Sequence, residues 1–193
     1  MSLSLNVLNH LGLNLYSNVP AVLSETVANA WDADAEHVNV DILPDEDRIE
    51  IIDDGHGMDE HDVNNRYLRV GYRRRQDEDR PNRTPKHGRP VMGRKGIGKL
   101  SLFSIAKTVE VYTTKDGEQH AFRMNVNAIK EAIGQEEAGN GSMEPQSYVP
   151  TTIDGFPDDV NRGTKIVLKD LKKRVHTAES ALRKRLARRL SIL

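Results

Sequence analysis

Cysteine is absent from the 193 residues. Disulfides, thiol nucleophiles and cysteine-ligated zinc are therefore excluded. Aromatic residues are scarce, at 5%, and neither an RNA-recognition aromatic pair nor a zinc-finger spacing is present. No stretch approaches the ~18 consecutive apolar residues of a membrane span. The N-terminal MSLSLNVLNHLGLNLYS lacks the basic start and long apolar run of a signal peptide. Neither sign of charge dominates: 28 Lys and Arg face 29 Asp and Glu, for a net charge of -1. The basic excess of a dedicated nucleic-acid binder is thus missing for the chain as a whole, although charge can still be segregated along it. These absences lead us to expect a protein of a reducing cytoplasm, without membrane contact.

What is present fits a globular domain. Apolar residues make up 37% and charged residues 30%, and the length suffices for one cored domain plus a connecting element. SNVPAVLSETVANAWDADA (17–35) reads as a helix, with Ser17 or Asn18 as cap and Pro20 in the first turn. Val22, Val27, Ala30 and Ala33 are candidates for its inward face. Val38, Val40 and Ile42 alternate in a half-buried strand, and RIEIID (48–53) is its hairpin partner. A glycine-hinged turn, DDGHGMD, leads to a helical stretch over 59–69. Residues 71–95 hold nine Lys or Arg, three Pro and three Gly with almost no apolar residues, and read as a long mobile loop. A helix is expected to open near Lys99. VEVYTTKDG and EQHAFRMNV form a second hairpin around Asp116-Gly117. GTKIVLKDL (163–171) is a further strand, and TAESALRKRLARRLSIL a basic amphipathic tail helix.

Three polar clusters carry the chemistry. Glu25, Asn29 and Asp32 are spaced by four and three residues, which puts them on one helical face. Such a stripe is either a solvated face or a site in which a carboxylate polarises a water while Asn29 offers a neutral oxygen to a hard cation. Asp53-Asp54-Gly55-His56-Gly57-Met58 ends an apolar strand. It is either a tight turn, with Asp59 capping the next helix, or a place where a carboxylate receives an exocyclic amine and glycines admit a flat ligand. His56 has no second ligand at metal-binding spacing. VMGRKGIGKLSLFSIA (91–106) nearly spells a P-loop, but Leu100 stands where that motif needs a hydroxyl, and a basic loop precedes it where a buried strand should. Gly93, Gly96 and Gly98, with Lys95 and Lys99, remain compatible with phosphate held at a helix start. A magnesium ligand would then have to come from elsewhere, with Asn29 the obvious candidate.

LSETVANAWDADA, DDGHGM, GRKGIG and RGTKIVL occur in that order, and together they resemble the four motifs of the GHKL ATPases: gyrase B, the heat-shock-ninety chaperones, histidine kinases and MutL. The resemblance runs from about residue 15 to 171. The NAWDADA wording is closest to the MutL, heat-shock and MORC branches, and the kinases generally lack a glutamate at the place of Glu25. The resemblance implies a Bergerat fold, an α+β two-layer sandwich with a mixed, mostly antiparallel sheet covered by helices on one face. It implies ATP and Mg²⁺ as ligand and cofactor, with ATP under a lid at about 71–98. It makes Glu25 the general base, Asn29 the magnesium ligand and Asp53 the adenine-amine acceptor. Asp32, Ala33, Gly55, Gly57 and Met58 would line the base pocket. Gly93, Lys95, Gly96, Ile97, Gly98 and Lys99 would form the lid hinge and phosphate cradle. Thr164 would share a water with the aspartate.

Two features depart from the family pattern. Gyrase-B-like relatives reach the γ-phosphate with a lysine from a following transducer domain. Such a domain is expected beyond residue 193, with 172–193 as connecting helix, slow hydrolysis by 1–171 alone, and an ATP-dependent homodimer in the longer protein. The loop from Arg73 to Lys95 is also unusually basic, so nucleic acid is a second partner that it or the tail could contact. The competing readings are a nucleotide sensor without turnover and a nucleic-acid-associated ATPase of repair or defence.

Overall fold

In the computed structural model, residues 3–4, 19–68, 82–93, 98–129, 131 and 147–172 are described. The tail helix, the caps at Ser17 and Asn18, and the loop over 69–81 lie outside these residues.

Helix α1 spans Val19–Asp32. Its buried residues Val19, Val22, Leu23, Thr26 and Ala30 recur at three- and four-residue intervals, so one stripe faces inward. The helix ends in a Schellman arrangement: Ala35 N–H donates to Ala30 O and Asp34 N–H to Trp31 O, both at 3.0 Å. The left-handed residue this motif requires is Asp34, at φ 60°, where glycine is usual.

Strand β1 is Leu3–Ser4. Strands β2 (Val38–Leu43) and β3 (Arg48–Asp53) form the first hairpin, joined by a 3-10 turn at Pro44–Glu46. A three-residue helix α2, Glu60–Asp62, runs into a π-helical turn at Val63–Tyr67, and Asp59 caps it by accepting from Asp62 N–H at 2.7 Å. Gly98–Ser104 is a 3-10 helix of seven residues, where a longer helix was expected. It is cut short because the chain enters β4 (Ala106–Lys115) at once. Strand β5 (Glu118–Asn125) returns across Asp116 and Gly117, both with positive φ, as a tight hairpin requires. Short strands β6 (Ser147–Tyr148) and β7 (Thr151–Thr152) and the long β8 (Gly163–Leu171) complete the set.

The main sheet has six strands in the order β2-β3-β8-β4-β5-β7, and every pairing within it is antiparallel. Strands β1 and β6 pair separately. Directly paired residues point to the same face, so the register assigns the rows. Val40, Ile51, Ile166, Val111 and Phe122 form one row, and Ile42, Ile49, Leu168, Val109 and Met124 the next. Both rows belong to the hydrophobic core except at β2, whose Val40 and Ile42 are half-buried against it; Val19, Val22 and Leu23 of α1 and Leu102 and Phe103 of the 3-10 helix complete that core. Tyr67 meets Phe122 edge-on at 5.8 Å. The result is the expected α+β sandwich with helices over one face; the sheet, expected to be mixed, is antiparallel throughout among the described residues. Among the described residues no helix is long and apolar enough to cross a membrane.

Candidate functional site

One row further along the same face, the apolar pattern stops. Here Val38, Asp53, Thr164, Thr113 and His120 are paired across five strands. A carboxylate and two hydroxyls thus stand where the core gives out, beside the C-terminal end of α1.

Asp53 ends β3. Its Oδ1 accepts the Gly55 N–H at 3.0 Å. Burial pushes its pKa up to about 6, against hydrogen bonds from the backbone N–H groups of Gly55 and Thr164, and Asp54 adds to the push. A half-buried acceptor with this little compensation suits a neutral donor such as an amine. Asp54, half-exposed, does a different job. It accepts from the backbone N–H groups of Glu36 and His37 at 2.7 and 2.9 Å and from the His37 ring at 2.8 Å. Burial raises its pKa, but those bonds outweigh it and hold the carboxyl at about 2.

The turn after β3 is pressed against its neighbours. A Cβ on Gly57, at φ +67°, would lie 2.0 Å from Thr114 O, and one on Gly163, at φ +92°, 2.0 Å from Asp53 O. Neither position can carry a side chain without moving backbone. Gly55 stands against Ala33, whose carbonyl also accepts the His56 N–H at 2.8 Å. Met58 N–H donates to Thr113 Oγ1 at 2.9 Å, and Thr113 Oγ1 lies 3.1 Å from Gly163 O and 3.2 Å from Thr164 Oγ1. Thr113 is fully buried and ties Met58 to Thr164. The sequence reading missed it, because a threonine inside VEVYTTK is an ordinary strand former. Only the pairing of Thr113 with Thr164 reveals its place.

Ala33, Asp53, Gly55, Gly57, Met58 and Thr164 are thus brought together. Glu25, half-buried, and Asn29, exposed, lie on α1. A rise of 1.5 Å per residue places them about 10 and about 4.5 Å along the axis from Asp32. Asp32 itself is buried and turns to the glycine segment: it accepts from Met92 N–H at 2.7 Å and Gly93 N–H at 2.9 Å. Gly98 and Lys99 open the 3-10 helix. Lys95, Gly96 and Ile97 lie outside the described residues.

The described part of the basic loop, 82–93, is folded onto α1, where a loose loop was expected. Thr84 N–H donates to Arg89 O, Arg83 bridges Pro90, and Gly88 turns the chain at φ 61°. Asp34 accepts from Lys86 N–H at 2.7 Å and His87 N–H at 3.2 Å. Burial raises its carboxyl, but Thr84, Lys86 and His87 outweigh that and hold it below the usual range. Trp31 Nε1 donates to Pro90 O at 3.0 Å, and Arg89 donates to Ala35 O at 2.6 Å while stacking on the Trp31 ring at 4.5 Å.

Asp59, His61 and Asp62 converge at metal-like spacing. Lys115 Nζ already lies 2.6 and 2.7 Å from the two carboxylates, so this group is a closed ion pair.

The family model for the histidine kinase-, DNA gyrase B- and HSP90-like ATPases matches residues 16–151. A protein of Herpetosiphon aurantiacus named "Putative type II restriction enzyme HgiDII" is 42% identical over 193 residues, which is 100% of this chain and 29% of that relative. The chain therefore spans less than a third of the length of the curated relative it matches. With an α1 carrying Glu25 and Asn29, a sheet row ending in Asp53 and Thr164, and a family model matching most of its length, this chain belongs to the histidine kinase-, gyrase B- and HSP90-like ATPases.

Proposed function

We propose that the chain is the ATP-binding and magnesium-dependent ATP-hydrolysing module of a longer, cytoplasmic protein, whose nucleotide cycle closes a lid and drives dimerisation. The observation that carries this reading is the polar row on the helix-covered face: Asp53, Thr164 and Thr113 in register. A desolvated acceptor beside two hydroxyls matches the donor and acceptor edge of adenine. The glycines at 55, 57 and 163 hold the turn so close to its neighbours that this geometry has little freedom.

The donor set fits a hard cation. Asn29 offers an exposed neutral oxygen one helical turn from the Glu25 carboxylate, and magnesium prefers oxygen ligands and keeps several waters. Bound there, the ion would neutralise phosphate charge. In this reading Asn29 holds the metal. Glu25 takes the proton of a water positioned for the γ-phosphate, a task for a carboxylate within reach of one water. Asp53 fixes the base, and Gly93 with Lys95, Gly96, Ile97, Gly98 and Lys99 receives the phosphates. Phosphoryl transfer needs positioning and charge neutralisation above all.

Glu25→Ala is the test. Binding of ATP should persist while turnover in the whole protein falls by about 100-fold or more, the usual scale for a general base. Hydrolysis at the normal rate would refute the assignment of Glu25. Tight binding without turnover in the wild-type protein would favour a nucleotide sensor.

A second reading is favoured by the relative's name and by the nine basic residues of 71–95: the ATP cycle serves a nucleic-acid-acting protein. Its mark would be DNA affinity that falls steeply with salt.

A further inference from the structure

The last turn of α1 does something that the ATP reading does not require of it. Asp32 and Asp34 are both buried, at 6% and 4% exposure, and each accepts two consecutive backbone N–H groups of the same distant segment. Asp32 takes Met92 and Gly93; Asp34 takes Lys86 and His87. Buried charges are tolerated only when fully hydrogen-bonded, and these bonds supply that. Asp34 also occupies the left-handed position of the Schellman turn, where a non-glycine residue is strained. Glycine there would remove the strain and the acceptor together. The grip is close as well as polar: a Cβ on Gly93 would come 2.9 Å from Asp32 Oδ2.

Resting on the ATP reading above, we propose that Asp32 is a positioning residue for the phosphates. It fixes Met92 and Gly93, where the glycine-rich stretch begins, to the helix that carries Glu25 and Asn29, and it acts through that backbone without contacting the base. The helix and the glycine stretch then share one rigid joint, so the group that activates water and the backbone that meets phosphate keep a common frame. Asp34, Trp31 and Arg89 brace the preceding residues of the same segment.

The experiment is a phosphate ladder. Affinities for adenosine, ADP and ATP, with magnesium, are measured in the wild-type protein and in Asp32→Asn. Asparagine keeps the shape but can accept with only one of the two atoms, and its amide group faces an N–H. Loss of one such bond, with a donor left opposed, predicts a fall of about 10-fold or more for ATP, a smaller one for ADP, and adenosine unchanged within about two-fold. Met92→Pro keeps Asp32 and deletes one of the two N–H groups that it accepts, at a residue outside the phosphate cradle; it should give the same phosphate-selective loss, and it carries the test if Asp32→Asn does not fold. An equal loss for adenosine and ATP means general disruption and overturns the proposal, as does an unchanged ladder. A wild-type protein that binds none of the three overturns the ATP reading itself, and this inference with it. Binding with a normal ladder in both variants sinks the inference alone.

Discussion

The two faces of the six-stranded sheet use the same strands and reach opposite solutions. On the helix-covered face, rows of Ile, Val, Leu and Phe bury apolar area until the row of Asp53, Thr164 and Thr113. On the other face, alternate residues of the same strands form a lattice of charge. Glu110 is the centre of that lattice, only 2% exposed, with Arg123 at 2.7 Å, Lys169 at 2.9 Å and the Tyr112 hydroxyl at 3.0 Å. Beside it Lys165 bridges Glu50 at 3.1 Å and Asp159 at 2.7 Å. Each face holds a carboxylate withdrawn from water, Glu110 fully and Asp53 in part, yet the outcomes differ in sign. Burial wins at Asp53 and its pKa rises to about 6. At Glu110 burial also pushes upward, but hydrogen bonds from Lys169, Arg123 and Tyr112 outweigh it and the pKa falls. Cationic partners mark Glu110 as part of the scaffold. Among the described residues none stands beside Asp53, which marks it as a group kept for something else.

That contrast can be broken in three ways. Phe122→Ala, in the apolar row, should have the largest effect, costing about 3–5 kcal/mol of unfolding free energy, read by denaturant titration. A cost below about 1 kcal/mol would mean that the helix-covered face is not the core. Asp53→Asn should come next, but in a different currency: about 100-fold weaker ATP binding by calorimetry, with stability at neutral pH unharmed. The sign follows from the raised pKa. The folded protein disfavours the charged Asp53, so stability increases as pH falls through about 6 toward the ordinary value of 3.8. Asp53→Asn should abolish that increase. ATP affinity in the wild type should weaken over the same range, as the acceptor gains a proton. Glu110→Gln should be the smallest, about 1–2 kcal/mol at neutral pH, because its partners are half-exposed. Its depressed pKa stabilises the fold above the ordinary Glu value, and this is lost as pH falls through the folded one. The difference from wild type should therefore shrink in acid. A difference that grows in acid would reverse the assignment of the two faces.

Much of this arrangement was legible in the chain. Strands over 38–43, 48–53 and 163–171 fall where alternation and turn residues put them, because period-two patterning and local turn chemistry are sequence-near signals. The Asp116-Gly117 hairpin and the Asp59 cap were readable for the same reason. What was hidden depends on register between distant strands. Thr113 matters only because it is opposite Thr164, and Glu110 is buried only because Arg123 and Lys169 flank it. The WDADA tail of α1 shows carboxylates, but not that they capture backbone some 60 residues on. The helix expected near Lys99 opens there, at Gly98, but stays a short 3-10 turn for a tertiary reason: β4 claims the chain from Ala106.

The chain contains a single tryptophan, and it is Trp31, bonded to Pro90 and stacked under Arg89. The joint between α1 and the basic segment is therefore optically self-labelled. Separation of the two would strip the indole of its carbonyl partner and its cation together. The resulting change in emission colour and in access to a collisional quencher would have only one possible source in the chain. Whatever moves that joint can be timed by stopped-flow fluorescence on the unmodified protein.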